Sequence, residues 1–394
     1  MVNHKKRILV VGGGFGGVKV ADLLSKRDDL SVTLVSDRPD FWYFPTMYHT
    51  ATGASEDLTS IPLKRIFEDK KVKLIIGSAK KLNREINEIT LKDGLKINYD
   101  YLILSLGVVT NYFGIDGLKK YSFGVKTINE ANELKKHLHN QLIDDGLPDL
   151  RYVVVGGGPT GIETAGQIKK FLQHIMKRHK LTQKPIHVDL VESSARLMPR
   201  MEPKAGRLIA RRLRQLGVRL HLGKTVTGAT ATTLQLEGKT LETETIIWTA
   251  GQSNNVFFEN NNFELTKRHK VKINEFLQAD ENIYVIGDNA DTEYSGLAQT
   301  ALYDAGFVAV DIAKRLDNKQ RLSYMPQKPA YIIPAGEKWA YVEWGKIKTH
   351  GFWGWILREA GNLVGFLEIT NPISASEQWL KEFKADYKCN ICNQ

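Results

Sequence analysis

The chain has 394 residues, 42% of them hydrophobic, which is enough for two or three domains with cores of their own. A formal charge of +11 points to an anionic partner, and charge alone does not choose among nucleic acid, a phosphate-rich cofactor and an acidic membrane surface. The only two cysteines, Cys389 and Cys392, exclude a disulfide framework and fit a reducing, intracellular setting; no apolar run approaches the roughly 18 residues that span a bilayer.

The apolar run after Lys5, Lys6 and Arg7 is too short for a signal peptide, because glycines interrupt it. Residues 7–17, Arg-Ile-Leu-Val-Val-Gly-Gly-Gly-Phe-Gly-Gly, instead read as a buried strand, a glycine turn and a helix N-terminus. Gly12 permits the tight turn, Gly14 lets the backbone approach a diphosphate and Gly17 lets the helix pack on the sheet; Phe15 and Gly16 lie within the same loop. The free N-H groups and the helix dipole then face phosphate. Residues 18–24 continue the helix, and 30–35 form a second parallel strand. A ribose is read at its end, where Ser36 and Asp37 are both candidates and Arg38 follows.

Residues 41–53 crowd aromatic side chains into a stretch that reads as a loop, neither strand nor helix. Around Pro45 it either walls a flat ring or forms a satellite hydrophobic cluster. Three strand-like runs follow at 72–76, 86–91 and 101–106, read as a small meander and a return strand, with Ala79 in the connection as a further cofactor contact. The return strand ends at Gly107.

The glycine pattern recurs at residues 151–161, with Gly156, Gly158 and Gly161 at the same spacing and a helix over about 162–179. Two copies imply two dinucleotides. Glu163 lies in the first turn of this helix, where the dipole favours a carboxylate in any protein; the functional alternative is contact with a nicotinamide or an acceptor ring. The strand at 187–192 ends in Glu192, which can bond the 2′-OH of NADH and repel the 2′-phosphate of NADPH, while nearby Arg196 and Arg200 argue the other way. Residues 245–251 match the run ending at Gly107, so the chain leaves one domain near Gly107 and re-enters it near Gly251.

Residues 282–288 form a buried strand ending in Gly287-Asp288, where an aspartate can hold a sugar-alcohol hydroxyl. A helix beginning near Gly296 carries Ala298 and Gln299, and its N-terminus suits a reduced, anionic ring. Gln299 and Tyr303 stand one turn apart on that helix and can reach one acceptor. Five of the seven tryptophans fall in the last 60 residues. Residues 339–348 alternate like an antiparallel strand. If 375–391 are helical, Trp379, Leu380, Phe383, Tyr387 and Ile391 share a face with Lys381, Lys384 and Lys388 at its margin. Such a helix lies on an anionic membrane, docks on its own domain or meets a dimer partner. The ten histidines lack metal-ligand spacing, so no metal is expected.

From about Ile8 to Ala313 the chain resembles the two-dinucleotide flavoproteins, and more narrowly the type II NADH dehydrogenases, which pass electrons from NADH through FAD to a membrane quinone without pumping protons. The carrying residues are Val-Val-Gly-Gly-Gly-Phe-Gly-Gly (10–17), Phe44-Pro45 with Tyr48 and Ala51-Thr52-Gly53, Gly-Gly-Gly-Pro-Thr-Gly-Ile-Glu (156–163), Thr-Ala-Gly (249–251), Ile-Gly-Asp (286–288) and Ala298-Gln299-Thr-Ala301. The resemblance implies an α/β fold of two Rossmann-like domains, the NADH domain (111–250) inserted in the FAD domain (1–110 and 251–325), followed by a C-terminal α+β region (326–394) for a membrane surface or dimer. It assigns FAD to the first glycines, Asp288, Ala298 and Gln299, NADH to the second, and quinone to Gln299. It also implies a place in the cytoplasm at the inner face of the cell membrane, with no role for nucleic acid. Tyr303 stands where the family has a second glutamine, and Ser36 where it usually has the ribose-binding acid. Two other readings stay open: a disulfide or sulfide oxidoreductase, which needs cysteines near the flavin, and a non-enzymatic flavin redox sensor.

Overall fold

The computed structural model describes residues 5–143, 151–181 and 186–384. Two mainly parallel sheets dominate it. The first has six strands in the order Gln278–Asp280, Ile283–Val285, Tyr101–Leu104, Lys6–Val11, Leu30–Ser36 and Val72–Ile76. The second has five, in the order Ser122–Phe123, Thr245–Trp248, Arg151–Val155, His187–Glu192 and Val218–Leu222. Residues 8–11 and 152–155 are buried along their whole length, as expected of strands covered on both faces. Register is parallel in both: Val10 pairs with Leu34 and Ile103, and Val154 with Leu190 and Ile247.

Helices Phe15–Leu24 and Ala298–Leu316 cover one face of the first sheet. A meander of Ala79–Asn83, Glu88–Leu91 and Lys96–Asn98, with the aromatic group Phe257, Phe258 and Phe263, covers the other. The second sheet carries helices Ile128–Ile143, Pro159–Arg178 and Pro203–Gln215 on one side and a three-stranded antiparallel sheet on the other. The chain crosses between the sheets through a two-stranded ribbon, Val108–Thr110 against Gln252–Asn254. Asn289 clasps both crossings: its Oδ1 accepts from Gly107 N (2.9 Å), and its Nδ2 donates to Gly107 O (2.7 Å) and Asn254 Oδ1 (2.6 Å).

Four expectations change. Val72–Ile76 is not part of the meander but the outer strand of the six-stranded sheet, held in register by Leu34 opposite Leu74; Ala79 then opens the meander opposite Leu91. Residues 41–53 are structured, with a strand at Asp40–Trp42, a 3-10 turn at Phe44–Thr46 and a helix at Met47–Ala51. Pro45 sits in the first turn of the 3-10 segment, where its missing N-H costs nothing, and the next glycine comes only after the helix. Residues 339–348 are two strands, Ala340–Trp344 and Ile347–Gly351, because Gly345 takes the left-handed conformation (φ 57°) and turns the chain. The C-terminal helix is Pro372–Phe383, and its face is divided: Trp379 turns inward and donates to Glu359 O (2.9 Å), while Leu380 and Phe383 stay exposed. Tyr387, Lys388, Cys389, Ile391 and Cys392 lie outside the described residues.

Candidate active site

The two glycine loops are built alike, and each glycine has its own reason. Gly12 and Gly156 have φ of 121° and 119°, which disfavours any side chain. A Cβ on Gly17 would lie 1.8 Å from Gly12 O, and one on Gly161 would lie 1.9 Å from Gly156 O, so these positions are closed by helix packing. A Cβ on Gly14 or Gly158 would meet nothing within 4 Å. Those two glycines are the helix N-caps, with no side chain satisfying the first N-H groups. Each loop therefore offers unsatisfied donors beside open space, and both fit a dinucleotide diphosphate. Phe15 and Gly16 are buried at the start of the first helix, and a Cβ on Gly16 would press on Ser105 and Ile286.

The ends of the second strands also correspond. Ser36 Oγ would lie 2.4 Å from a Cβ on Gly13, and Glu192 Oε2 would lie 2.8 Å from one on Gly157. Ser36 thus occupies the position over the first glycine turn, bonded to the Arg38 backbone, while Asp37 faces outward and pairs with the Arg38 guanidinium at 3.0 Å. That guanidinium lies 4.1 Å over the Trp42 ring. Glu192 accepts from Gly157 N (2.6 Å) and Ser194 N (2.7 Å), which fixes the carboxylate at the loop. Of the two arginines that argued against NADH, Arg196 is committed to its own loop through Met201 O and Pro199 O, and Arg200 lines a cleft beside Asp288.

Gly287-Asp288 forms a tight turn with Gly287 at φ 67°. The turn is braced from below: Gly287 N donates to Asp304 Oδ2 (2.8 Å), and the Tyr324 hydroxyl donates to Asp304 Oδ1 (2.6 Å). Burial pushes the Asp304 carboxyl up to about 6, with both hydrogen bonds opposing it. Lys270 donates to Asp288 O. Ala298 opens the next helix, uncapped by any side chain. Gln299 Oε1 accepts from Ala330 N (2.6 Å), so its amide NH2 is the end left to donate. Tyr303 is half-buried one turn further on. Gly107 and Gly251, both at positive φ, lie at the two crossings of the ribbon.

Glu163 is the fifth residue of helix Pro159–Arg178 and so lies past the first turn in which the sequence put it, because the helix already begins at Pro159; it is largely enclosed yet in partial contact with solvent. Burial pushes its carboxyl up to about 8, against the pull of Arg358, so it holds a proton at neutral pH.

Two groups had no sequence signal strong enough to single them out. Arg358, buried on helix Phe352–Leu367, donates to Glu359 Oε1 (2.7 Å), Tyr48 Oη (2.9 Å), Glu382 Oε1 (3.1 Å) and His49 Nε2 (3.2 Å). Burial, reinforced by Arg358, pushes His49 well below its ordinary range, so a neutral ring accepts. Burial raises Glu382 to about 7 despite Arg358. Lys126, before the helix Ile128–Ile143, has a buried Nζ with no hydrogen-bond partner among the described residues; desolvation lowers it to about 8 although Asp288 and Glu130 oppose the shift. Among the described residues no cluster of His, Cys, Asp or Glu fit for a metal occurs.

Comparison with known proteins gives a consistent picture. A family model described as pyridine nucleotide-disulphide oxidoreductase matches residues 6–305. The type II NADH:quinone oxidoreductase Ndh of Mycobacterium tuberculosis is 27% identical over 96% of this chain and 88% of its own length. The type II NADH:quinone oxidoreductase of Staphylococcus haemolyticus is 26% identical over 73% of this chain and 75% of its own. The fold matches that of NDH2 from Plasmodium falciparum in complex with NADH, with a TM-score of 0.83 at 17% identity, covering 97% of this chain and 99% of that one.

Proposed function

This chain belongs to the pyridine nucleotide-disulphide oxidoreductase family, and on that premise we propose that it is an FAD-dependent NADH:quinone oxidoreductase. The observation that carries the reading is the pair of glycine loops, each with an open second glycine and an uncapped helix N-terminus, one per parallel sheet. Both cysteines of the chain lie at 389 and 392, so the described residues contain no thiol for a disulfide relay. We propose a division into an FAD domain (1–110 and 251–325), an inserted NADH domain (111–250) and a C-terminal region (326–394), a reading supported by the two sheets and the ribbon between them.

Gly12, Gly14 and Gly17, Ser36 over their turn, Asp288 and the Ala298 helix N-terminus are the residues that would hold FAD, and Gly156, Gly158, Gly161 and Glu192 those that bind NADH. The flavin, when bound, accepts a hydride from NADH and returns two electrons to quinone. The carboxylate of Glu192 accepts from a ribose 2′-OH and repels a 2′-phosphate, which selects NADH over NADPH. Gln299 donates its amide N-H to a quinone carbonyl, because its oxygen is already held by Ala330 N. Glu163 keeps its proton close to the junction of the two dinucleotide paths.

Membrane contact is proposed through helix Phe352–Leu367. Its inner face carries the buried Arg358, Glu359 and Asn362, whereas Phe352, Trp353, Ile356, Val364 and Leu367 are exposed, Trp353 by 71%. An apolar outer face of this extent is what an interfacial helix presents to lipid. No described helix is long and apolar enough to cross a membrane. We place the protein at the inner face of the cell membrane; a homodimer formed through the same apolar face is the alternative.

The deciding experiment is anaerobic reduction of the FAD-loaded protein by NADH and by NADPH, followed by mixing with a short-chain quinone. Rapid bleaching by NADH, slower bleaching by NADPH and prompt reoxidation by quinone are expected. Bleaching without quinone reoxidation would redirect the acceptor, and no bleaching at all would refute the reading.

A further inference from the structure

A cleft of about 350 Å³ opens between the ribbon, the turn at Asp288 and residues 268–270, with Arg200 from the NADH-domain side in its wall and no residue of the second glycine loop in its lining. Its walls come from both sides of the junction. Arg200 belongs to the segment that follows Glu192, and that segment is tied to the glycine loop by Met198 N donating to Gly157 O (3.1 Å). Opposite stand Arg268 and Lys270, on a hairpin turn closed by Thr266 N donating to Lys270 O (2.8 Å) with His269 in the left-handed conformation. The Arg268 guanidinium is fixed by Thr292 O and Ser295 Oγ (3.3 Å each) and pairs with Asp291 Oδ1 (3.4 Å), and Lys270 is fixed by Asp288 O.

Asn254, more than nine-tenths buried, lines the same cleft. Its Oδ1 accepts from Asn289 and from Asn255 N, which turns the amide nitrogen the other way, and that nitrogen is buried with no partner among the described residues. A buried donor without an acceptor costs about 1–3 kcal/mol. Burial lowers Lys270 against the pull of Asp288 and Asp291. Three cations and Asn254 thus line a cleft whose single lining acid, Asp288, is already needed at the flavin turn, while Asp291, outside the lining, pairs with Arg268.

We propose that this cleft clamps the diphosphate of the nicotinamide dinucleotide from the side opposite the glycine loop, Arg200 contributing from the NADH domain and Arg268, Lys270 and Asn254 from the FAD-domain side. The proposal rests on the NADH reading above. Binding then joins the two domains through the ligand, since the glycine loop supplies donors from one and the hairpin cations from the other. Adenosine alone makes none of these contacts.

Calorimetric titration of the FAD-loaded protein with ADP-ribose, which carries the diphosphate without the nicotinamide, tests this. Each charge-assisted contact is worth about 1.5–3 kcal/mol, so Arg200→Gln is expected to weaken ADP-ribose at least about tenfold, and Arg200→Gln with Arg268→Gln further, while adenosine binds as before. Arg200 is exposed and has no structural partner among the described residues, so the single variant folds. Unchanged ADP-ribose affinity in both variants, with FAD content retained, overturns the clamp and leaves the NADH reading standing. Equal weakening of adenosine also overturns it, as a general loss of the site. A wild-type protein that binds no ADP-ribose and is not reduced by NADH overturns both.

Discussion

Arg358→Met isolates the buried charge cluster that joins the C-terminal helices to the nucleotide helix. Among the described residues Arg358 is the cation set among Glu359, Glu382 and, at longer range, Glu163. Burial by itself would lower the guanidinium, but the surrounding groups outweigh that and hold it protonated. Removing one member of such a pair costs about 3–5 kcal/mol, because the remaining charges are stranded in a medium that solvates them poorly. The pH dependence gives the sign. Glu382 stands at about 7 against an ordinary 4.5, so the folded state binds its proton more tightly than the unfolded chain. Stability is therefore highest below the ordinary value and about 3 kcal/mol is lost as pH climbs through the folded one. Without Arg358 the Glu382 and Glu163 carboxyls move higher still. The deficit of the variant is largest near about pH 8 and shrinks near about pH 6, where a protonated Glu382 no longer needs the cation. Urea unfolding of the FAD-saturated protein at both pH values measures it. A loss of about 4 kcal/mol at the higher pH and under half of that at the lower is expected, with partial recovery in Arg358→Met with Glu382→Gln. A loss equal at both pH values, or below about 1 kcal/mol throughout, would refute the cluster as a charge-coupled brace.

Two further outcomes follow from the site and its surface. Tyr303→Ala leaves reduction by NADH nearly intact and slows quinone reoxidation roughly tenfold, a loss of about 1.4 kcal/mol read by separate stopped-flow experiments; slowed NADH reduction with normal reoxidation would remove this face as the acceptor site. Trp353→Ser with Ile356→Ser lowers co-sedimentation with vesicles containing anionic lipid by at least about tenfold while the protein remains folded, since each large apolar side chain contributes about 1.5–3 kcal/mol on burial; undiminished sedimentation would send the apolar face to a second copy of the chain.

Much of this architecture was legible because it is written locally. Residues 8–11 and 152–155 are continuous apolar runs, and the glycines follow at fixed spacing, so strand, turn and helix can be read without knowing what lies across the core. The strand His187–Glu192 falls where its alternating and β-branched residues put it. Non-local pairing was less legible. Val72–Ile76 carries the same apolar character as a meander strand, and only its parallel register with Leu30–Ser36, set by the crossover between them, moves it to the large sheet. Ser36 and Asp37 were inseparable in sequence because a strand end is uncertain by one residue, and one residue reverses the side-chain direction. Arg358 was least legible of all. A charged residue on an apolar helix reads as its solvated face, and it took the exposure of Trp353 and Val364 to show that this helix keeps most of its large apolar residues outward and buries Arg358, Glu359 and Asn362 beside Phe366.

That inversion constrains what helix Phe352–Leu367 does. A helix on a water-soluble surface gains by burying its apolar stripe, and here the stripe formed by Phe352, Trp353, Ile356, Val364 and Leu367 is left outside while Arg358, Glu359 and Asn362 are desolvated inside. One oxygen of Glu382 accepts from both Arg358 (3.1 Å) and Asn362 (2.8 Å), and Arg358 reaches Tyr48 and His49 in the helix Met47–Ala51, while Glu359 Oε2 and Glu382 Oε2 are buried without a hydrogen-bond partner among the described residues. Polar bonds in this interior fix the helix in direction and rotation, because hydrogen bonds are directional and the Arg358 guanidinium meets acceptors from helices Met47–Ala51 and Pro372–Phe383 at once. The same element therefore offers its apolar face outward in a fixed orientation and carries, on its inner face, the cation whose field lowers Glu163. Quinone is itself apolar. A helix with apolar residues on its outer side and, on its inner side, the Arg358 that opposes the upward shift of Glu163 couples that apolar surface to the second glycine helix.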